Sequence, residues 1–417
     1  MRFKYGKKTL ELPLEGLLQY KELKLKDTTP LKDPHAEILR ALRRPTSGKP
    51  LKERVCKGES VCILVNDPTR VARTELFMPL LLAELNEAGI EDEQITAVFT
   101  IGSHRPVTAG EMRRIVGEEA AARILLLNHE PDNEHNLTYL GDTARGTPVK
   151  INSIVASADR RILTGSIIYH FFAGFGGGRK ALVPGVAAME TIQANHRLML
   201  EEGARLGVLE GNPVHEDLLE AANMVGADFL LNVVLNEEKE LLAVFSGDMQ
   251  EAHRRGCSFV EEVYGVPITK KADLVIASCG GYPKDINIYQ SQKTLENAAQ
   301  AVRDGGVIIL LAECAEGAGS AVYEQWAKRY RRLPEMEAAL RNNFQLGGHK
   351  AYAISRVLSR CQVFLVSDLE QKLAAELGFK AFGDPEGALR KAMLCIGGNL
   401  VTYIMPEGAL TTPVFNY

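Results

Sequence analysis

The chain has 417 residues, 46% hydrophobic and 24% charged, with 37 glycines and 18 prolines; this excludes a disordered or fibrous polymer and asks for two cores of roughly 100–200 residues each. A formal charge of -4 and a pI near 6.2 leave no field to gather nucleic acid, and the basic run Lys328–Arg332 reads as a solvated helix face. The opening MRFKYGKKTLELPL lacks the apolar segment of a signal peptide, no stretch is long and apolar enough to span a bilayer, and seven scattered cysteines without a CxxC pair suit a reduced cytoplasm.

In chain order, alternation around Tyr5-Gly6-Lys7-Lys8 predicts a hairpin. The apolar run SVCILV (60–65) predicts a buried strand, followed by a helix from Phe77 to Ala88 that stops at Gly89. Further strands are expected at QITAVFT (94–100), Ile124–Asn128 and RILT (161–164), with a helix from about Ala109 to Val116. Strands alternating with helices of about ten residues predict a parallel sheet, whose strand C-termini share one edge. A second unit starts near Ala272: strand ADLVIASCG, helix 292–303, strand GGVIILLAEC, helices within 321–342 and at 351–360, strand CQVFLVS and a final helix pair. The reading is an α/β protein of two domains with mostly parallel sheets and the active site in the cleft between them. Its parts are an N-terminal domain, 1–268, joined by the tail 400–417, and a C-terminal domain, 269–399.

Ligands of open α/β sheets bind beyond the carboxyl ends of the strands, and ionisable residues collect there. SVCILV is followed by Asn66-Asp67-Pro68-Thr69-Arg70, where an arginine could grip a carboxylate with two parallel bonds, or merely close a turn. QITAVFT is followed by Gly102-Ser103-His104-Arg105-Pro106, which holds a histidine in a fixed loop, either as an acid/base group or as a cap packed on Pro106. RILT leads into Tyr169-His170-Phe171-Phe172-Ala173-Gly174-Phe175-Gly176-Gly177-Gly178-Arg179-Lys180. Four glycines in five positions would let the backbone approach a ligand and offer its N–H groups as an anion nest. Gly-Arg-Lys-Ala is not the Gly-Lys-Ser/Thr of a phosphate loop, and no GxGxxG follows a strand. Three phenylalanines make it too apolar for a plain surface loop. His196, in a helix-like stretch, would by itself read as packing.

Together, DPTR, GSHRPVT, YHFFAGFGGGRKALVPGVAAMETIQANH and GGYPKDINIYQSQK, in this order, resemble the lactate racemase family of nickel-pincer nucleotide enzymes over almost the whole chain. The resemblance implies a racemase or epimerase inverting C2 of a 2-hydroxy acid by reversible hydride transfer through a 2-keto acid. The implied cofactor is a pyridinium-3,5-bisthiocarboxylic acid mononucleotide carrying Ni(II), held covalently by Lys180, with His196 completing the metal's square plane. His104 and His170 resemble the acid/base pair. Asp67, Thr69, Gly176, Gly177, Gly178 and Arg179 would surround the cofactor. Arg70 and Lys293 would hold the substrate carboxylate, with Tyr289 and Gln290 close by. Expected partners are the small 2-hydroxy acid, maturation enzymes that build the cofactor, and a second copy in a homodimer; no nucleic acid or membrane is expected.

One departure bears on the substrate. Lactate-specific members carry a tryptophan in the second domain, whereas the only one here, Trp326, sits in a helical context that reads as packing. His349 and Lys350 add polar and positive groups that lactate does not need, so they are expected to contact a substrate larger or more polar than lactate. Three rivals stand beside this reading: a catalytically inactive, cofactor-free binding protein, an NAD-dependent dehydrogenase, and a zinc hydrolase built on His104, His170 and His196. The dehydrogenase lacks its glycine fingerprint, and the hydrolase lacks an HExxH pair and leaves Lys180 unexplained.

Overall fold

A computed structural model describes residues 1–14, 17, 19–397 and 400–415. The chain forms two compact bodies: Asp27–Glu262, and a second assembled from both ends, Met1–Lys26 with Val263–Tyr417. The body Asp27–Glu262 is built on a six-stranded sheet in the order Leu241–Gly247, Phe229–Leu235, Arg160–Ser166, Val61–Asn66, Ile95–Thr100, Leu125–Asn128. Every pairing is parallel except the edge strand Leu241–Gly247. Both faces of such a sheet are covered, so its central strands read as unbroken apolar runs; Val61 to Val65 and Phe229 to Leu235 are buried at every position. The helix Thr74–Glu87 supplies Phe77, Met78, Leu81, Leu82 and Leu85 to that core.

The order of these strands locates the site. From Val61–Asn66 the chain moves outward to Ile95–Thr100 and Leu125–Asn128, then returns to the other flank with Arg160–Ser166 and Phe229–Leu235. Two adjacent parallel strands whose following connections depart in opposite directions leave a crevice beyond their C-termini, the switch point of a doubly wound sheet. Here that point lies between Asn66 and Ser166. The segments leaving it are 67–70 and 167–180.

The other body carries an all-parallel sheet in the order Lys380–Phe382, Gln362–Val366, Val302–Leu311, Ala272–Ser278, Thr402–Met405, Tyr20–Glu22. Its switch point lies between Ala272–Ser278 and Thr402–Met405, and the loop leaving Ser278 leads into the helix Ile288–Ala301.

Three expectations are corrected. The N-terminal body ends at Glu262 rather than 268, and the tail does not join it: Thr402–Met405 pairs with Ala272–Ser278, and Thr412–Phe415 pairs with Gly265–Ile268, which belongs to the second body. Residues 416 and 417 of that tail lie outside the described residues. Nor do the first 26 residues belong to the N-terminal body: Phe3 enters the core of the second, and Tyr20–Glu22 closes the edge of its sheet. A short strand carries no mark of which sheet it will extend, so only tertiary pairing decides this. The helix expected at 292–303 starts earlier, at Ile288, because the Asn287 side chain accepts the Gln290 N–H at 2.9 Å. Tyr289, Gln290 and Lys293 therefore ride on the first turns of a helix.

Candidate active site

The loop after Val61–Asn66 is organised by Asp67. Its carboxylate accepts the Thr69 N–H at 2.6 Å through Oδ1 and meets His104 Nδ1 at 2.9 Å through Oδ2. Its side chain is 3% exposed, against 41% for His104. Burial by itself would raise the Asp67 pKa, but the bonds from His104 and Thr69 outweigh it and hold it below the ordinary carboxylate value. A carboxylate on Nδ1 puts the imidazole proton there, leaving Nε2 of the neutral ring as an open acceptor. Asp67 and Thr69, expected at a cofactor, thus spend these bonds on aiming His104. The His104 loop is itself seated by the Gly102 N–H donating to Gly185 O at 2.9 Å, with Gly102 at φ +53°.

His170 has the opposite arrangement. The Ala173 N–H donates to its Nδ1 at 3.3 Å, so the proton of the neutral ring resides on Nε2. Burial first, then the charges of Lys180 and Arg70, push the His170 pKa well below the ordinary value. One histidine of the expected pair therefore presents a lone pair and the other an N–H.

Lys180 stands at the end of the same loop, its Nζ 5.7 Å from the centre of the Phe172 ring; the His170 ring packs edge-on against Phe172 with centroids 4.5 Å apart. Burial, then Arg70 and Arg179, hold the Lys180 amine well below its usual pKa. Among the described residues no carboxylate pairs with Lys180, Arg70 or Arg179. Arg179 is 1% exposed, donates to Ala173 O at 2.9 Å and lies 3.2 Å from His253 Nε2, and burial lowers its pKa to about 10. Arg179 Nε, Tyr169 Oη and His215 Nδ1 are buried without hydrogen-bond partners among the described residues. Such uncompensated buried donors are costly unless an anion joins them.

The glycines act differently from the expected nest. The Gly176 N–H goes to Ile168 O and the Gly178 N–H to Asn232 Oδ1, so neither is open to a phosphate. A Cβ on Gly177 would sit 2.7 Å from Asn232 Oδ1, and one on Gly178 would sit 2.6 Å from His253 Cγ, both at positive φ. The loop is glycine-rich because protein atoms fill the space of the missing side chains.

His196 lies buried near the end of the helix Met189–Arg197, its ring 5.1 Å from that of Phe172. Its neighbour Asn195 is clamped by buried Asp217, which accepts Asn195 Nδ2 at 2.8 Å, Thr143 Oγ1 at 2.5 Å and Thr147 Oγ1 at 2.9 Å. Among the described residues no group of three or more His, Cys, Asp or Glu side chains could by itself hold a metal. A metal at His196 would need donors brought by another group. Sequence reading missed Asp217, Asn232, His215 and His253. Of these only Asn232, the one polar residue in FLLNVVL, carried a visible signal.

In the other body, Tyr289, Gln290 and Lys293 occupy the first turns of Ile288–Ala301, with Gln290 and Lys293 exposed. Lys350 Nζ donates to Tyr289 O at 2.9 Å and lies 4.0 Å from the centre of its ring. His349 is 7% exposed, stacks on Phe344 and accepts the Gly347 N–H at 3.1 Å through Nδ1; burial and then Lys350 lower its pKa to about 3. It is buried on the first turn of the helix Gly348–Arg360. Trp326, read as packing, is 8% exposed and donates to Gln345 Oε1 at 2.7 Å.

Residues 5–207 match the description of a lactate racemase N-terminal domain, and residues 268–411 that of a lactate racemase C-terminal domain. The chain is 32% identical over 416 residues to a lactate racemase of Thermoanaerobacterium thermosaccharolyticum, covering 97% of this chain and 96% of that one. It is also 32% identical over 379 residues to a lactate racemase of Lactiplantibacillus plantarum, covering 89% of each. The fold superposes on the lactate racemase apoprotein from T. thermosaccharolyticum with a TM-score of 0.89 at 31% identity, covering 100% of both chains. A protein from Thermotoga maritima, 18% identical with a TM-score of 0.68 over 94% of this chain and 100% of its own, shares the fold.

Proposed function

The chain belongs to the lactate racemase family and is an isomerase, and we propose that it inverts C2 of a 2-hydroxy acid through a planar 2-oxo acid. The observation that carries this reading is the pair of histidines with opposite faces on offer, His104 as acceptor and His170 as donor, beside basic side chains that no carboxylate among the described residues neutralises. A racemase must handle its substrate from two sides, and two differently protonated imidazoles meet that need.

The residues fit the nickel-pincer nucleotide. Lys180 is an amine kept nucleophilic by burial and neighbouring cations, suited to an amide-type bond with a thiocarboxylate. His196 offers an imidazole where a metal needs only one protein donor, and the unpaired buried donors around Arg179 suit a group bearing phosphate. When bound, that group would accept the α-hydrogen as hydride and return it.

The chain's own residues do the rest. Arg70 holds the carboxylate, so that C2 is fixed while its substituents change. His104, kept in the acceptor tautomer by Asp67, takes the hydroxyl proton from one enantiomer. His170 presents N–H to the same oxygen, and for the other enantiomer the roles exchange. A preference for substrates more polar than lactate rests on Lys350 alone, since His349 lies inside; racemisation of malate no faster than lactate would remove it. The absence of pairing among all seven cysteines suits a reducing cytoplasm.

The test is co-expression with the family's maturation enzymes, followed by intact mass, nickel content and chiral analysis of lactate. A nucleotide-sized adduct on Lys180, one nickel per chain and loss of optical activity are expected. No adduct and no nickel, in a host that loads another family member, would favour the cofactor-free binding protein.

A further inference from the structure

We propose that the cofactor-free chain captures 2-oxo acids as a reversible imine on Lys180, so that this lysine is a carbonyl-reactive site independent of nickel chemistry. Lys180 is partly accessible, yet its amine sits among aromatic and cationic neighbours rather than in water: Phe172 lies under Nζ, and the charges of Arg70 and Arg179 both bear on it. Among the described residues no carboxylate offsets those charges, which distinguishes Lys180 from paired lysines such as Lys150 and Lys328. An amine in apolar surroundings beside fixed cations is the environment that makes a lysine a nucleophile at neutral pH.

Arg70 decides the ligand class. A guanidinium at the end of a parallel strand's following loop, exposed and with no carboxylate partner among the described residues, is built for a carboxylate. An amine for a carbonyl carbon and a guanidinium for a neighbouring carboxylate together describe a 2-oxo acid. His170 stands against the same phenylalanine as Lys180 and supplies an imidazole for proton movement.

The chemistry balances without an oxidant. The Nζ lone pair adds to C2 and the carbonyl oxygen takes a proton, giving a carbinolamine. The two amine hydrogens and that oxygen then leave as water, and a C=N bond remains. Hydrolysis reverses it, so the adduct is a removable cap on the amine. The choice of Arg70 as carboxylate anchor rests on the function proposed above.

The full-length chain, produced in a host without the maturation enzymes, would be incubated with pyruvate and cyanoborohydride, which reduces the imine to a stable secondary amine. Intact mass and peptide mapping then read the product. The expected result is one carboxyethyl group per chain, on Lys180, absent from that position in Lys180→Arg. Arg70→Ala should slow the labelling by pyruvate about tenfold or more, the worth of a charge-assisted hydrogen bond, and labelling by acetone, which has no carboxylate to lose and feels Arg70 only through the amine, should slow by a clearly smaller factor. Label spread over surface lysines with Lys180 not enriched overturns the proposal, and so does Lys180 labelling that Arg70→Ala leaves unchanged. Because the wild-type map alone reports enrichment, a variant that fails to fold does not decide the matter. Labelling at Lys180 without racemisation by loaded enzyme would sink the function while keeping the imine; racemisation without labelling would do the reverse.

Discussion

Replacing Asp67 by asparagine tests how His104 is set up. The substitution preserves shape but removes the charge behind Nδ1, where Oδ2 stands 2.9 Å away in a side chain 3% exposed. A hydrogen bond to a charged partner contributes about 1.5–3 kcal/mol, and each 1.36 kcal/mol is tenfold in rate. Loss of the charge alone therefore costs about 10- to 100-fold in kcat. An amide can also turn its NH2 toward Nδ1 and force the proton onto Nε2, removing the acceptor; in serine proteases the equivalent change costs about 10⁴. The expected loss lies between these bounds. Cofactor-loaded wild type and D67N would be compared by chiral chromatography of lactate, starting from each enantiomer, with intact mass to count the Lys180 adduct. Full adduct loading with a slowed kcat supports the assignment. Rates within twofold of wild type would refute it, and a variant that fails to take up the adduct would return Asp67 to the cofactor.

The buried amine of Lys180 costs the cofactor-free fold, so Lys180→Met should raise its Tm by about 2–4 °C while abolishing the adduct, as scanning calorimetry and mass spectrometry would show. Gly177→Ala places a Cβ 2.7 Å from Asn232 Oδ1 at φ +75°; urea unfolding should report a loss of about 1–3 kcal/mol. His215 and His349 have folded pKa values lowered to about 3 by burial. They are neutral in the fold but charged in the unfolded chain below about pH 6.5. Their contribution is thus intact above that pH and is lost as pH falls toward 3, at about 1.4 kcal/mol per unit each; urea midpoints at pH 7.0 and 5.5 would check this, and equal midpoints would contradict it. Lys350→Met removes the bond to Tyr289 O and the charge over its ring. KM for lactate should rise several-fold through displacement of the first turn of Ile288–Ala301, with the Lys180 adduct unaffected.

Much of this was legible in the residues because the relevant physics is local. Unbroken apolar runs bounded by turn residues announce buried parallel strands, and the strands at Val61–Asn66, Ile95–Thr100 and Ala272–Ser278 fall where such runs stand. The helix Ala109–Val116 falls where it was expected, and the structure opens it with a Thr108–Glu111 capping box. Arg70, His104, His170 and Lys180 were visible as ionisable residues just past strand ends. What the sequence could not carry was non-local. The short strands Tyr20–Glu22 and Thr402–Met405 have no preference for a sheet until they find an edge, so the chain ends were assigned to the wrong body. The glycines were legible as glycines, but whether a ligand or protein fills the space beside them depends on Asn232, 54 residues from Gly178. His349 is polar by type and interior by position because Phe344 and the start of Gly348–Arg360 enclose it. The tautomers of His104 and His170 arise from bonds to Asp67 and Ala173, the first spanning 37 residues. Residue type sets what a side chain can do; the partners that folding brings within hydrogen-bond reach set which of those things it does.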